Sequence, residues 1–335
     1  RTGWLPQHLV YRDSSEKLIG AAPLYLKGHS YGEYVFDWGW ADAFEKAGQK
    51  YFPKLLSAVP FTPVTCPKLL VHPGEDQSEV RSILASGLVS ALQQLNVSSL
   101  HINFSSLDEW EFLGKAKFLK RQGIQYHWNN NGYSSFDDFL NSLTSRKRKA
   151  IRKERKAANE SGVNIRFLTG AQIEKRHWDA FFKFYVDTSD RKWGSAYLNR
   201  EFFTLLGERM ADKVLLIIAE YETTLVGGAL NFIGKDTLFG RNWGCLADFK
   251  FLHFEACYYR AIDFAIENGL SRVEAGAQGE HKIQRGYIPT LTYSNHYIDD
   301  LGFRDAVAQF LHRESSYIVE QKAHLDQTTP FRQEQ

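Results

Sequence analysis

Eight of the eleven residues from Arg146 to Lys156 are cations, in a chain whose formal net charge is only +2. The flanks read as one helix over about residues 144–161. Asn141, Ser142 or Thr144 can cap its start, and Gly162 stands where a left-handed residue ends a helix. Arg146, Lys147, Arg148 and Lys149 crowd the first turn, where the macrodipole favours acids by about 0.3–1 kcal/mol each. Anion binding offsets that cost, because first-turn N–H groups and the cations Arg146, Lys147 and Lys149 converge on one ligand. The plainer alternative is a solvated charged face.

A second concentration follows the short strand expected at Arg272–Gly276, at a strand end where α/β sheets expose functional groups. It comprises Gln278, Glu280, His281, Lys282 and Arg285. Glu280 or His281 can take a proton from an attacking amine, Lys282 and Arg285 can neutralise a carboxylate or phosphate, and Gln278 is a further substrate-binding candidate. A polar loop closed by its own ion pairs is the competing reading. Glu33 and Tyr34 offer a carboxylate beside a phenol able to protonate a leaving group, in a segment, Tyr31–Trp38, that reads as a strand. A structural pairing explains them nearly as well. Asp190, Arg191 and Trp193 lie between two expected helices and can contact a substrate, with Trp193 covering it or simply packing. His101, His177 and His253 lack metal-ligand spacing, so no metal is expected.

The elements that must position these groups alternate along the chain. His8–Tyr11, Leu18–Leu26, Ser99–Phe104, Gln125–Asn129 and Val163–Leu168 read as strands. Val80, Ile83, Leu84, Leu88, Leu92 and Leu95 recur at helical spacing, and Trp178, Phe181, Phe182 and Tyr185 form an aromatic helical stripe. Val214–Tyr221, Leu225–Ile233 and Thr237–Trp243 form an antiparallel meander with short turns. A helix over Phe254–Ala265 follows, ended by Gly269, and Phe303–Leu311 marks a last helix. With 335 residues, 43% hydrophobic and 24% charged, the chain is an ordinary globular one of two domains rather than a disordered one. Three cysteines without paired spacing point to a reducing, cytoplasmic setting. No apolar run approaches the roughly 18–20 residues that span a bilayer, so no membrane span is expected. The polar tail 326–335 is expected to fray.

These strings carry a resemblance. Ser145–Gly162 leading into Val163 resembles the R-x-x-I-R-K-x-x-K…G-V signature of Fem-type peptidoglycan-bridge aminoacyltransferases. His29–Asp37, Ala58–Thr65 and Gln278–Tyr287 resemble the bacterial Fem-like GNAT N-acyltransferases over essentially the whole chain. The order meander, helix, strand is similar to that of GNAT domains. The resemblance implies an α/β (α+β) protein of two tandem GNAT-like folds, with mixed, mostly antiparallel sheets flanked by helices. The first, 1–143, is expected to lack its opening elements, the chain starting at Arg1 rather than Met. The second, 144–325, opens with the basic helix. Asp190, Arg191 and Trp193 then fall where GNAT domains place their acceptor loop.

The implied activity is amide formation by direct attack of a small-molecule or peptide amine on an activated acyl donor, either acyl-CoA or aminoacyl-tRNA. The GNAT pyrophosphate signature is degraded. Arg191-Lys192-Trp193-Gly194-Ser195-Ala196 fits its letters but joins two helices, and Arg241-Asn242-Trp243-Gly244-Cys245-Leu246 sits in the right context as a partial match. Arg241 and Gly244 are therefore the donor-phosphate candidates there, and weight moves toward an aminoacyl-tRNA donor. A phosphate-backbone binder without chemistry and an inactive tandem scaffold are the other classes. The near-neutral charge and the absence of a reading motif weigh against the first of these.

Overall fold

The structure, a computed structural model, describes residues 2–193, 196–277 and 279–332, the side chains of Lys192 and Trp193 excepted. The chain divides into two units, one of residues 1–124 and 291–323, the other of residues 125–290 and 324–335. The boundary expected at 143/144 thus falls at 124/125. The reason is strand pairing: residues Tyr293–Ile298 lie antiparallel to Ser99–Ser105, which draws the late segment into the first unit.

In the first unit the strands Trp4–Pro6, Tyr25–Lys27, Lys54–Ser57, Ser99–Ser105, the later part of Ile288–Ile298 and the first half of Leu119–Asn129 lie in that order. A three-stranded sheet of Leu9–Arg12, Leu18–Ala22 and Leu70–Val71 accompanies them. The helical spacing seen in the sequence becomes helix Gln77–Leu95, whose Val80, Leu84, Leu88 and Leu92 are buried among Leu55, Leu100 and Ile102. Each of those side chains contributes about 1.5–3 kcal/mol through burial. Asp76 caps the helix by accepting from the N–H groups of Ser78 and Glu79, both at 2.9 Å. Tyr31–Trp38 is not a strand. It turns through Gly32 and Tyr34, both at positive φ, and Trp38 starts helix Trp38–Lys46.

In the second unit the order is Val163–Thr169, Val214–Tyr221, Thr224–Ile233, Thr237–Cys245, Arg272–Glu274 and the second half of Leu119–Asn129. All pair antiparallel except Thr237–Cys245 with Arg272–Glu274, which run parallel. The aromatic stripe is core: Trp178, Phe181, Phe184 and Tyr185 of helix Lys175–Trp193 close on Phe203 of helix Arg200–Arg209 and on Leu216, Ile218 and Leu230. The basic helix spans Ser145–Asn159, and Gly162 does take a left-handed φ of 81°. Thr144 is its N-cap residue, without a side-chain cap bond. The helix expected at Phe254–Ala265 runs from Leu252 to Glu267 and contains a π-helical turn, Glu255–Tyr259. Such turns recur at functional sites. The last helix is longer than expected, Leu301–Gln327, and the described tail is held rather than frayed. Its Pro330 carbonyl accepts from the Thr144 N–H at 2.9 Å, and Phe331 bridges to Leu143. Among the described residues no helix is long and apolar enough to cross a membrane.

Candidate active site

Two strands of the second unit part company. Thr237, Leu238 and Phe239 pair with Arg272, Val273 and Glu274, after which the longer strand continues to Cys245 without that partner. A bulge at Arg241 accompanies the divergence: Asn231 pairs with Gly240, whereas the preceding Leu230 pairs with Asn242. Bulges bend a strand and re-aim its side chains. Arg241 reaches the connection between the two aromatic helices, where its guanidinium donates to the Tyr197 hydroxyl at 2.8 Å.

Glu274 ends its strand at this fork. It pairs with Phe239 on one side and with His127 on the other, and Phe239 pairs with Phe232, which packs under the aromatic helices. Cross-strand partners share a face, so Glu274 and His127 look to the side carrying Lys175–Trp193 and Arg200–Arg209. Glu274 is buried, and burial pushes its carboxyl up to about 7 against the pull of Arg272, 3.5 Å away. His127 Nδ1 lies 3.9 Å from the carboxylate, and burial lowers this imidazole to about 3, leaving it neutral. A carboxyl poised near neutrality beside a gap in a sheet is suited to take a proton from an amine. The sequence reading did not single out Glu274. Its one visible signal was an acid in the short strand Arg272-Val273-Glu274.

The loop leaving this strand is pinned from below. Lys282 is buried, and its ammonium donates to the Gly276 carbonyl at 3.0 Å. Burial brings its pKa down to about 8. His281 shares a 2.9 Å hydrogen bond between Nε2 and the Tyr258 hydroxyl. Burial, then Arg285 and Lys282, lower this imidazole too, so it is neutral near pH 7. Gly279, at φ 114°, leaves room for that ring, which would lie 2.6 Å from any Cβ there. Glu280 is exposed.

The basic helix docks on this loop, so the two clusters singled out in the sequence meet. Lys147 donates to Gln284. Arg285 forks onto Glu154 with both contacts at 3.0 Å, donates to the His281 carbonyl at 2.8 Å and stacks over Phe254 at 3.5 Å. Tyr259, delivered by the π-helical turn, donates to the same Glu154. Arg155 holds Glu255 at 3.0 Å and Asp263 at 2.6 Å. Arg285 is thus occupied by protein partners, as an ion-paired loop would have it. Arg146 and Lys149 are exposed and have no acidic partner among the described residues.

The remaining sequence candidates are dispersed. Arg191 is exposed and pairs with Asp187 at 2.5 Å, and Asp190 is exposed. Gly244 is explained by packing, since a Cβ would stand 2.4 Å from the Phe184 carbonyl oxygen. The side chain of Trp193, the residues Gly194 and Ser195, and Gln278 lie outside the described residues. Glu33 and Tyr34 belong to the first unit. There Glu33 is a buried ion-pair member, 2.8 Å from Lys54, which also holds Asp37. Burial raises Glu33 to about 7, whereas Lys54 outweighs burial at Asp37 and holds it far below the carboxylate range. Tyr51 donates to Asp37 at 2.7 Å, and the network continues through His101 to His296.

No curated protein matches the sequence. Among solved structures, FemX superposes with a TM-score of 0.57 at 11% identity, over 92% of this chain and 91% of that one. L-PGS from Bacillus licheniformis gives 0.55 at 9% identity, over 91% and 89% respectively. At such identities the likeness establishes the fold, a tandem of GNAT-like units in a mixed α/β chain. The sequence itself settles the family: residues 1–333 match the FemAB-like model, described as peptidoglycan biosynthesis/recognition, and the chain belongs to that family.

Proposed function

We propose that the second unit forms an amide by passing an aminoacyl group from a polyanionic carrier, an aminoacyl-tRNA, to an amine at the fork. Family and fold together support an acyl or aminoacyl transferase in general. The observation that carries the finer reading is the parting of the strands after Phe239 and Glu274, with a carboxyl near pH 7 at the branch point. The amine nitrogen attacks the ester carbonyl, and Glu274 takes its proton. The C–N bond forms, the C–O bond to the carrier breaks, and the proton on Glu274 passes to the departing carrier oxygen. Main-chain N–H groups of Asn242–Cys245, the stretch that continues past the pairing with Arg272–Glu274, are the donors assigned to the oxyanion in this reading. The outer cations of the basic helix, Arg146 and Lys149 with Arg152, Lys153 and Lys156, suit an extended phosphate backbone rather than a single pyrophosphate.

Hydroxylamine serves as a surrogate acceptor in the test. Aminoacyl-tRNA with this chain should release the amino acid hydroxamate at a rate that rises through about pH 7, the pKa of Glu274. Glu274→Gln should bind the tRNA and lose the rate. No release above background sinks the transfer, and release from acetyl-CoA but not from the tRNA ester sinks the carrier. Binding without release in the parent chain would instead mark a nucleic-acid-binding protein, the reading the exposed helix face would then favour.

A further inference from the structure

We infer that the cavity beyond the end of strand Thr237–Cys245 binds an organic ammonium, a cationic group of the acceptor remote from the nitrogen that reacts at the fork. Its role in transfer rests on the reading above, whereas its occupancy does not. The cavity measures about 540 Å³ and opens between the last turns of helix Lys175–Trp193 and the loop that leads into Leu252. This is where the sequence reading placed a degraded phosphate loop, and the chemistry of the wall is the opposite of a phosphate cradle. Asp187 and Asp248 supply two carboxylates against the single guanidinium of Arg191. That guanidinium is already 2.5 Å from Asp187 and 3.2 Å from the Cys245 carbonyl oxygen. Asp248 has no cationic partner among the described residues. A dianion entering here would meet an uncompensated carboxylate.

The rest of the wall mixes aliphatic side chains with three aromatic rings. Trp243 and His253 stand with ring centroids 5.5 Å apart, and Phe249 lines the same space. Aromatic faces beside a carboxylate are the arrangement that holds ammonium groups, through ring quadrupoles on the alkyl-ammonium and a charge partner at its head. The loop Leu246–Phe251 has no glycine to bring main-chain N–H groups around an anion, and Gly244 is used for the close approach of Phe184. The cavity lies four to six residues past Phe239 on the strand that parts there, roughly 13–20 Å away at about 3.3 Å per residue, so an ammonium held there is not the nitrogen that meets Glu274.

Cys245 lines the cavity and is one of three free cysteines, which gives the site a reporter. In a chain carrying Cys66→Ser and Cys257→Ser, the Cys245 thiolate attacks the sulfenyl sulfur of a methanethiosulfonate. The mixed disulfide forms and methanesulfinate leaves. The aminoethyl reagent is a cation and the sulfonatoethyl reagent an anion of similar length. Relative to their rates with 2-mercaptoethanol, the cation should be favoured at Cys245 by roughly tenfold or more, the scale of charge focusing in clefts. Asp248→Asn should remove most of that preference. Pentylamine should slow labelling where pentanol does not. Equal rates, a preference for the anion, a ratio untouched by Asp248→Asn, or no labelling at all would each overturn the ammonium site. Selectivity without hydroxamate release would leave the site standing and discard the transfer reading. Release without selectivity would do the reverse.

Discussion

At the scale of single residues, Glu274 ties the proposed chemistry to stability. Its carboxyl has an ordinary value of 4.5 and is raised to about 7 by burial. Its stabilising contribution is therefore complete below 4.5 and is lost as pH rises through about 7, where the folded chain at last ionises too. The loss is on the order of 3 kcal/mol, from about 1.4 kcal/mol for each pH unit. Glu274→Gln has no carboxylate to bury. Its melting temperature should match the parent in mild acid and exceed it in mild alkali, while hydroxamate release falls by about 10²–10⁴. A variant that is slower but no more stable in alkali would deny the burial-raised carboxyl. Lys54 invites the opposite outcome. Lys54→Met leaves Asp37 and Glu33 buried without their shared cation, and urea denaturation should show a loss of about 3–5 kcal/mol. Glu280 and His281 were legible as titratable groups in a polar loop. Glu274 was not, because what sets it apart is burial, and three letters of a strand do not display depth.

Among the elements, the basic helix was seen in the sequence for its charge, yet its two faces do different things. Lys147, Ile151, Glu154, Arg155 and Ala158 recur at helical spacing and face the protein, with only Ile151 and Ala158 both apolar and buried. A hydrophobicity pattern cannot reveal a stripe held mainly by ion pairs. Glu154→Ala should cost about 3–5 kcal/mol in urea, since it strands the buried Arg285 guanidinium. Arg146→Gln with Lys149→Gln should leave stability within about 0.5 kcal/mol. It should weaken aminoacyl-tRNA binding and lower the slope of log affinity against log salt by about two. An unchanged slope would release this face from any role in holding the carrier. The misread segment Tyr31–Trp38 has the same cause. Its Glu33 and Asp37 point inward to Lys54, so the rule that polar residues face water places the strand where there is a turn.

For the whole molecule, the meander, helix and strand of the second unit were legible at readable periods, whereas a tandem of two GNAT-like units was implied by the family resemblance. The boundary was not legible. A chain that returns to its first unit after its second does so by pairing Tyr293–Ile298 with Ser99–Ser105, and no local composition announces such long-range pairing. Residues 1–124 alone should therefore show no cooperative thermal transition, having lost both a strand and the Val307 and Leu311 that bury Trp40 and Phe44. A sharp transition in that fragment would show the return to be an accessory.

That return also sets a timetable. On a ribosome the second unit has nearly all its residues in hand before the segment from Leu291 to Ala323 exists. Synthesis order would ordinarily let the leading portion fold first. Here the portion begun earliest is completed only after the later one is nearly whole, and Ser99–Ser105 must wait, edge unpaired, while about 190 further residues emerge.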